Sequence, residues 1–292
     1  MNSETKKFIR YWIEDPFWGG IDHATHAALR MLSPVWCSSI GANLGALAGK
    51  YRFPHINRRM VKILDRYYPE KTSDEVQGII EETWKNVGRV LSEMSMLDKI
   101  WRHGNIEVIG SDNVTNHSIS GKSTVFLFAH LGNWEMLAAQ VLEMGVDLYV
   151  VYEHLRNRFQ NSAARKARLR TGYHLIEPTS SGIRKIHKAL KSGGAVGFAM
   201  DEYKKGNVIS PSFDNDLSMN TNVAYAIKLA QRYDARLVPA YCLRKNKIDF
   251  VLHYLEPISL EGCNDDHESR LKAMSEVNKL LKELVGYHTS GW

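Results

Sequence analysis

Cysteines, metal-ligand clusters and long apolar runs are scarce or absent in this chain of 292 residues, and each absence excludes a class of protein. The three cysteines, Cys37, Cys242 and Cys263, are widely spaced without a CxxC pair, so we predict free thiols rather than disulfides or a zinc site. His23 and His26 lack further obvious ligands, so no metal is predicted. No apolar run reaches the roughly eighteen residues of a membrane-spanning helix. Met1–Asp15 is too polar to indicate a secretory signal.

Three nucleotide and hydrolase signatures are missing as well. Without a GxSxG segment the chain lacks the nucleophile elbow of an α/β-hydrolase. Gly45–Lys50 has the wrong glycine spacing for a phosphate-binding loop. Gly193, Gly194 and Gly197 precede a predicted strand or lie within it, whereas a dinucleotide fingerprint follows its strand. No organic cofactor is therefore predicted.

The charge balance favours an anionic partner. The chain has 38 lysines and arginines against 32 aspartates and glutamates, a net charge of +6 and an isoelectric point near 9.1. A positive net charge suits binding to phospholipid headgroups, to an acidic carrier protein or to nucleic acid. The charge alone does not distinguish among these partners.

Periodicity predicts an α/β fold with a mostly parallel central sheet flanked by helices. Apolar strand-like runs alternate with helical segments of ten to fifteen residues, as in βαβ crossovers. The predicted strands are Ile106–Ile109, Thr124–Phe128, Asp147–Tyr152, Ala195–Met200, Arg236–Leu243 and Ile248–Tyr254. The helices that accompany them are Trp134–Met144, Phe159–Arg170, Ser181–Leu190, Thr221–Tyr233 and His267–Val285. We expect the last two strands to form an antiparallel hairpin at one edge.

The N-terminal region, residues 1–52, is predicted to be a helical segment apart from the domain of residues 53–292. Pro34 divides its apolar stretch into two pieces, Ala24–Leu32 and Val35–Ala48, each too short to cross a bilayer. Flanking aromatic and basic residues favour an interfacial membrane anchor, and a helical hairpin packed on the domain is the alternative. Gly41, Gly45 and Gly49 mark a helix face that another backbone can approach closely.

A helix is also predicted beyond this region, starting at a cap on Thr72 or Ser73. Its apolar stripe indicates a core-facing surface, and it consists of Val76, Ile79, Ile80, Trp84, Val87, Val90, Leu91 and Met94.

The segment Ala129-His130-Leu131-Gly132-Asn133-Trp134-Glu135 is the most informative part of the chain. On a continuous helix His130 and Glu135 would lie about 140° apart. With His130 at the end of a strand and Glu135 in the first turn of the next helix, they can meet. A carboxylate beside an imidazole fixes its tautomer and raises its basicity, as a general base acting on a hydroxyl requires.

The sequence of this segment resembles that of the bacterial lipid A biosynthesis acyltransferase family, and the resemblance covers roughly residues 24–254. The segment Asn86–Arg89 matches the family's NxGR pattern. The sequence of Asn222–Ala240 also closely resembles that of the family. In that family the histidine is the base and the acid supports it, so the resemblance implies these roles for His130 and Glu135. It also implies donors to the oxyanion, for which the backbone amides of Gly132 and Asn133 are candidates.

Two acids follow another predicted strand. Asp201 and Glu202 come at the carboxyl end of Ala195–Met200, on the edge expected to hold His130. The family has an acid here, followed by an aromatic residue and a glycine, which Tyr203 and Gly206 match. Either acid can orient the base or hold the acceptor, and we favour Asp201 for the catalytic role and Glu202 for substrate binding.

Substrate-binding residues are also expected between Tyr152 and Arg170. Asn157 matches a family asparagine, and Arg156 is the candidate replacement for a family arginine. The helix beyond carries Arg158, Arg165, Lys166, Arg168 and Arg170. Arg168 and Arg170 are the candidates on this positive face for binding a phosphorylated acceptor or an acidic carrier protein, and a solvated basic helix is the alternative.

The sequence therefore predicts transfer of a fatty acyl chain from an acyl thioester, on acyl carrier protein or coenzyme A, to a hydroxyl of a membrane glycolipid or phospholipid. By resemblance, the protein is expected on the cytoplasmic face of a bacterial inner membrane. One alternative is a catalytically weakened homologue that binds a lipid or carrier protein without transfer. A nucleic-acid binder would need aromatic residues interleaved with the cations, and only Phe159 and Tyr173 are near, so no nucleic acid is expected.

Overall fold

The computed structural model describes residues 2–155, 157–204, 207–214, 216–260 and 267–291. Three residues singled out in the sequence lie outside this range, namely Arg156, Gly206 and Cys263. The predicted substrate contact of Arg156 therefore stays a prediction.

Helices dominate the first third of the chain, and strands alternate with helices after it. The first third contains α1 Ser3–Ile9, a π-helical turn Arg10–Glu14, α2 Asp15–Leu29, α3 Pro34–Tyr51, α4 Pro54–Tyr67, α5 Ser73–Glu93, a 3-10 turn Met94–Met96 and α6 Leu97–His103. The middle contains β1 Ile106–Ile109, α7 Asp112–Ser120, β2 Thr124–Phe128, α8 Glu135–Glu143, β3 Leu148–Val151, α9 Arg158–Thr171 and β4 His174–Ile176. The remainder contains α10 Ser180–Lys191, β5 Ala195–Ala199, β6 Glu202–Lys204, β7 Asn207–Ser210, α11 Asn222–Arg232, β8 Arg236–Asn246, β9 Asp249–Tyr254, α12 His267–Tyr287 and a 3-10 turn Thr289–Gly291.

The central sheet has seven strands in the order β1-β9-β8-β2-β5-β3-β4. Five of them, β8, β2, β5, β3 and β4, run parallel to one another, and β9 pairs antiparallel with β8. β1 pairs parallel with β9, so these two strands run against the rest. The carboxyl ends of the five parallel strands consequently share one edge, where open α/β sheets bind their ligands.

Strand β2 lies at the centre of this α/β/α arrangement, and all five of its residues are buried. Val125 and Leu127 face a core shared with α10, α11 and α12. Phe126 and Phe128 face a second core formed with α6, α8 and the neighbouring strands. A strand covered on both faces reads as a continuous apolar run, which is why Thr124–Phe128 was recognisable in the sequence.

The predicted fold class is confirmed, with two corrections to its details. The hairpin of β8 and β9 is present, but it is not at the edge, because β1 covers β9. β8 also extends to Asn246, so Arg244 and Lys245 belong to the strand rather than the turn. Strand β4 and the small β6–β7 hairpin were not predicted, and both involve strands of only three or four residues.

Helices α3 and α5 approach each other through the predicted glycine face. A Cβ added to Gly41 would lie 2.6 Å from the Gly88 carbonyl oxygen, and one added to Gly45 would lie 2.2 Å from the Trp84 carbonyl oxygen. Any side chain at these positions would separate the two helices. The prediction of a close backbone approach is confirmed, and α3 is packed on the rest of the chain through α5.

Large apolar side chains remain exposed on the N-terminal helices. Trp12, Phe17, Trp18 and Trp36 expose 61%, 60%, 52% and 67% of their surface.

The prediction that the apolar stripe of α5 faces the core is wrong in part. Val87 and Leu91 are exposed, while Val76, Ile80 and Val90 are buried. Among the described residues, no helix is both long enough and apolar enough to span a bilayer.

Candidate active site

His130 and Asp201 meet at the carboxyl edge of the sheet. β2 and β5 are paired in register up to Phe128 and Ala199, and the two polar residues follow two positions later on each strand. The His130 Nδ1 atom lies 2.9 Å from Asp201 Oδ1, and the His130 backbone N–H donates to the same carboxylate at 3.2 Å. Asp201 thus binds both the ring and the backbone of His130.

This pairing determines the chemistry of the imidazole. An ionised Asp201 accepts the proton of Nδ1, which leaves the Nε2 lone pair free to take a proton from a substrate. The imidazole lines a cavity, and Trp134 packs against it edge to face with the ring centroids 4.6 Å apart. Burial by itself would lower the pKa of His130, but the charge of Asp201 and its hydrogen bond outweigh burial and raise the pKa above the usual 6.5.

Replacing Asp201 by Asn should separate this electrostatic effect from simple packing. Asn keeps the size of the side chain and removes the charge that stabilises the imidazolium, so the His130 pKa should fall. The acidic limb of the pH–rate profile should then move to lower pH, while the maximal rate decreases because the base is weaker. Measuring kcat/KM against pH for both proteins tests this, and an acidic limb at the same pH in both would contradict it.

Glu135 occupies a different position from the one expected. The spacing predicted direct contact with His130, but the Glu135 carboxylate accepts from Arg168 Nη2 and Nε at 2.6 and 2.9 Å and from the Tyr173 hydroxyl at 2.5 Å. No described residue joins Glu135 to the imidazole by a hydrogen bond. Desolvation alone would raise the pKa of Glu135, yet the Arg168 guanidinium lowers it below the usual 4.5. Glu135 is therefore a buried anion, and its charge also contributes to the raised pKa of His130.

The turn between His130 and Glu135 is held by backbone contacts that also engage its amides. Gly132 has a φ of +57°, and a Cβ there would lie 2.7 Å from the Cys242 carbonyl oxygen. Its N–H donates to the Gly291 carbonyl at 3.3 Å, so one of the two amides expected to stabilise the oxyanion has a protein partner. Neither Gly132 nor Asn133 is among the residues that line the cavity of His130, and their role as oxyanion donors stays a prediction.

A buried polar network supports the same turn. The Glu93 carboxylate, fully buried, accepts from Arg244 at 2.8 and 2.9 Å and from the Asn133 amide group at 2.8 Å. Asn86 donates to the Gly132 carbonyl at 3.2 Å and to the Gly291 carbonyl at 3.1 Å. The NxGR match therefore has a structural reason, because Asn86 holds the turn that follows His130. Glu93 and Arg244 gave no local sequence signal.

The remaining predicted contacts are distributed around this site. Asn157 caps α9 by accepting from the Phe159 and Gln160 amides, and it donates to the Asp15 carbonyl of α2. Glu202 lines the cavity, pairs with Lys204 at 2.6 Å and accepts from the Asn222 amide. Arg170 is exposed near the end of α9. Asn157 and Arg168 therefore have structural partners, whereas Glu202 adjoins the space that a substrate would occupy.

His130 lines a cavity of about 1040 Å³. Apolar lining residues in or next to α8, β3 and β4 are Trp134, Ala138, Val150, Tyr173 and Leu175. Others in or next to α4, α5 and β7 are Met60, Ile63, Leu64, Ile79 and Phe213. The lining is mainly apolar and includes the imidazole and Asp201, so long apolar groups can bind beside these two polar residues.

Comparison with known proteins identifies the family. Residues 3–292 match the family described as bacterial lipid A biosynthesis acyltransferase. The chain belongs to this family. It is 24% identical over 285 residues to the lipid A biosynthesis palmitoleoyltransferase of Escherichia coli (strain K12) and to the lipid A biosynthesis acyltransferase of Shigella flexneri. Each alignment covers 94% of this chain and 87% of the relative. The predicted family is thus confirmed, and the match extends beyond residues 24–254 at both ends.

Proposed function

We propose that the protein transfers a fatty acyl chain from an acyl thioester to a hydroxyl of a lipid A precursor. The observation that carries this proposal is the contact between His130 and Asp201 in the lining of a large, mainly apolar cavity. Membership of an acyltransferase family supports the reaction class, and the names of the two relatives support lipid A as the acceptor. No metal or organic cofactor is part of the proposal.

His130 acts as the general base in the proposed mechanism. Its Nε2 atom takes the proton of the acceptor hydroxyl as the oxygen attacks the thioester carbonyl, and Asp201 stabilises the imidazolium that forms. Collapse of the tetrahedral intermediate breaks the carbon–sulfur bond, and the imidazolium returns the proton to the leaving thiolate. The products are an ester and a free thiol, without a covalent enzyme intermediate.

Glu135 has a supporting role in this scheme. Its buried charge is held in place by Arg168 and Tyr173 on the apolar side of the cavity that adjoins His130. The negative charge of Glu135 stabilises the imidazolium form of His130 without a direct contact. Asp201, in contrast, binds the imidazole of His130 directly.

Purified protein provides the test of the proposed reaction. Incubation with a dodecanoyl thioester and a lipid A precursor should give a lipid product heavier by one dodecanoyl group, with release of one thiol per ester formed. Mass spectrometry of the lipid and thiol titration measure both. Thiol release without acylated lipid would indicate thioester hydrolysis instead, and neither product would favour a homologue that binds without transfer.

We also propose that the exposed aromatic side chains of the π-helical turn, α2 and α3 lie on an anionic membrane surface. Trp12, Phe17, Trp18 and Trp36 are more than half exposed, and indole rings favour the interface between lipid and water. A protein held there would meet its lipid acceptor without a spanning helix. The proposed location is the cytoplasmic face of the bacterial inner membrane.

Removing two of these indoles should weaken membrane binding. Trp18→Gln combined with Trp36→Gln should lower partitioning onto phosphatidylglycerol-containing vesicles by roughly tenfold or more, because each loses an interfacial apolar contact. Ile109→Gln combined with Ile183→Gln, at exposed positions away from the N-terminal helices, is the matched control. Vesicle co-sedimentation measures the effect, and equal binding of all three proteins would contradict the proposed orientation.

A further inference from the structure

Helix α4 has a basic side next to an apolar side. The helix contains four lysines and arginines and one carboxylate, Asp65. Arg59, Lys62 and Arg66 are three and four residues apart, so they lie along one side of the helix. All three are exposed, which places a row of positive charge on the surface of the protein.

This row of cations follows the rim of the cavity that His130 lines. Met60 and Ile63, which come directly after Arg59 and Lys62 in the chain, are lining residues of that cavity. Tyr203 of β6 also lines it, and its hydroxyl accepts a hydrogen bond from Arg59 Nη1 at 3.2 Å. The basic side of α4 therefore adjoins the cavity, and Arg59 contacts one of its lining residues.

Two of these cations are available to a ligand. Arg66 is paired with Asp214 at 3.0 Å, whereas within the described residues neither Arg59 nor Lys62 is within ion-pair distance of a carboxylate. Arg59 uses one N–H for Tyr203 and keeps other donors. A guanidinium and an ammonium one helical turn apart can bind the same phosphate group. Arg59 and Lys62 are here called the rim pair.

Helix α4 also adjoins the surface proposed to bind the membrane. Only two residues separate it from α3, and the Asn57 side chain of α4 donates to the Gly49 carbonyl of α3 at 2.9 Å. Trp36, Leu44 and Leu47 of α3 are more than half exposed. A lipid acceptor held in the membrane has to place its head group beside this surface and its reacting hydroxyl in the cavity. Helix α4 is in contact with both, so its cations suit the acceptor rather than a soluble donor.

From this geometry we infer that Arg59 and Lys62 bind a phosphate group on the head group of the acceptor lipid. A lipid A precursor is a phosphorylated glycolipid, so the inference rests on the proposed acyl transfer and names the part of the acceptor that the protein recognises. Phosphate bound at the rim holds the head group there, while an acyl chain with its hydroxyl enters the mainly apolar cavity toward His130. The rim pair thereby selects phosphorylated lipids among those that carry a hydroxyl.

Acceptors with and without phosphate test this site. Arg59→Gln combined with Lys62→Gln should lower kcat/KM for the phosphorylated precursor by about tenfold or more, mainly through a higher KM. For the same precursor after enzymatic removal of its phosphates, the variant and the wild-type protein should have equal kcat/KM. Assays in neutral detergent micelles with one dodecanoyl thioester exclude any contribution from anionic phospholipid.

Arg52→Gln combined with Arg58→Gln is the matched control. It also removes two exposed positive charges, and neither residue lines the cavity. Arg58 lies on the opposite side of α4 from Met60, because two helical positions differ by about 200°. The control should therefore use the phosphorylated acceptor as well as the wild-type protein does. An equal loss in the control would show that overall charge matters and not the rim.

Three further outcomes overturn the inference. Equal losses with both acceptors would show that the pair does not recognise the acceptor phosphate. No loss in micelles, with a loss on vesicles that contain phosphatidylglycerol, would assign the pair to phospholipid head groups. Unchanged use of the phosphorylated acceptor would exclude the site. If wild-type protein acylates neither acceptor, the proposed reaction fails. Calorimetric binding of the two precursors to the same variants then still decides whether the rim pair binds the phosphate.

Discussion

Replacing His130 by Ala is expected to lower acyl transfer by about 10²- to 10⁴-fold, because it removes the general base. The fold should survive, since the Asp201 carboxylate still accepts the backbone N–H of residue 130 and the imidazole is half exposed to the cavity. Initial rates of purified protein with saturating thioester measure the loss. Thermal unfolding of the same sample checks that the protein is folded.

His55→Ala is a suitable control for this substitution. His55 is an exposed histidine on α4 outside the cavity lining, so its loss should leave the rate within experimental error of wild type. A folded His130→Ala protein with wild-type activity would remove His130 from the mechanism. The remaining candidates for a base would then be the carboxylates of the cavity.

Replacing Arg168 by Ala should have the largest effect on stability. It leaves the buried Glu135 carboxylate with the Tyr173 hydroxyl but without its cation, a loss that typically costs about 3–5 kcal/mol. Arg170→Ala, on the same helix but exposed, should change the free energy of unfolding by less than about 0.5 kcal/mol. Denaturant unfolding at neutral pH measures both proteins, and equal stabilities would contradict the ion pair.

The pH dependence of the Arg168 effect follows from the pKa of Glu135. That pKa is lowered in the folded protein, so the stabilisation from the pair is present above the unfolded pKa, near 4.5, and is lost as pH falls through the folded pKa. Arg168→Ala should therefore cost less in acid than at neutral pH. Adding Glu135→Gln to Arg168→Ala should recover part of the lost stability, because it removes the unpaired charge.

Local sequence information was sufficient for the turn at His130 but not for its partners. The apolar run before it and the Gly132-Asn133 turn placed His130 at a strand end and Glu135 in the first helical turn, as the structure shows. The contacts of Glu135 come from Arg168 and Tyr173, which lie 33 and 38 residues away. Spacing within one segment carries no information about these partners. Asp201 was found because parallel strands bring their carboxyl ends to one edge.

Other differences have the same origin in long-range structure. The pattern of Ile106–Ile109 predicts a strand but not its neighbour, so the position of β1 outside β9 was not foreseeable. Helical periodicity groups Val87 and Leu91 with the core of α5, although both are exposed in the folded protein. Strand β4 has only three residues, too few for an alternating pattern to stand out.

Analysis of lipid A in cells tests the central claim most directly. In a strain whose own copy carries His130→Ala, mass spectrometry of lipid A should show the main species reduced by one acyl chain, as in a strain from which the protein is deleted. A plasmid with the wild-type sequence should restore the missing chain in both strains. Lipid A of wild-type composition in the His130→Ala strain, with the protein present at normal abundance, would contradict acyl transfer by His130.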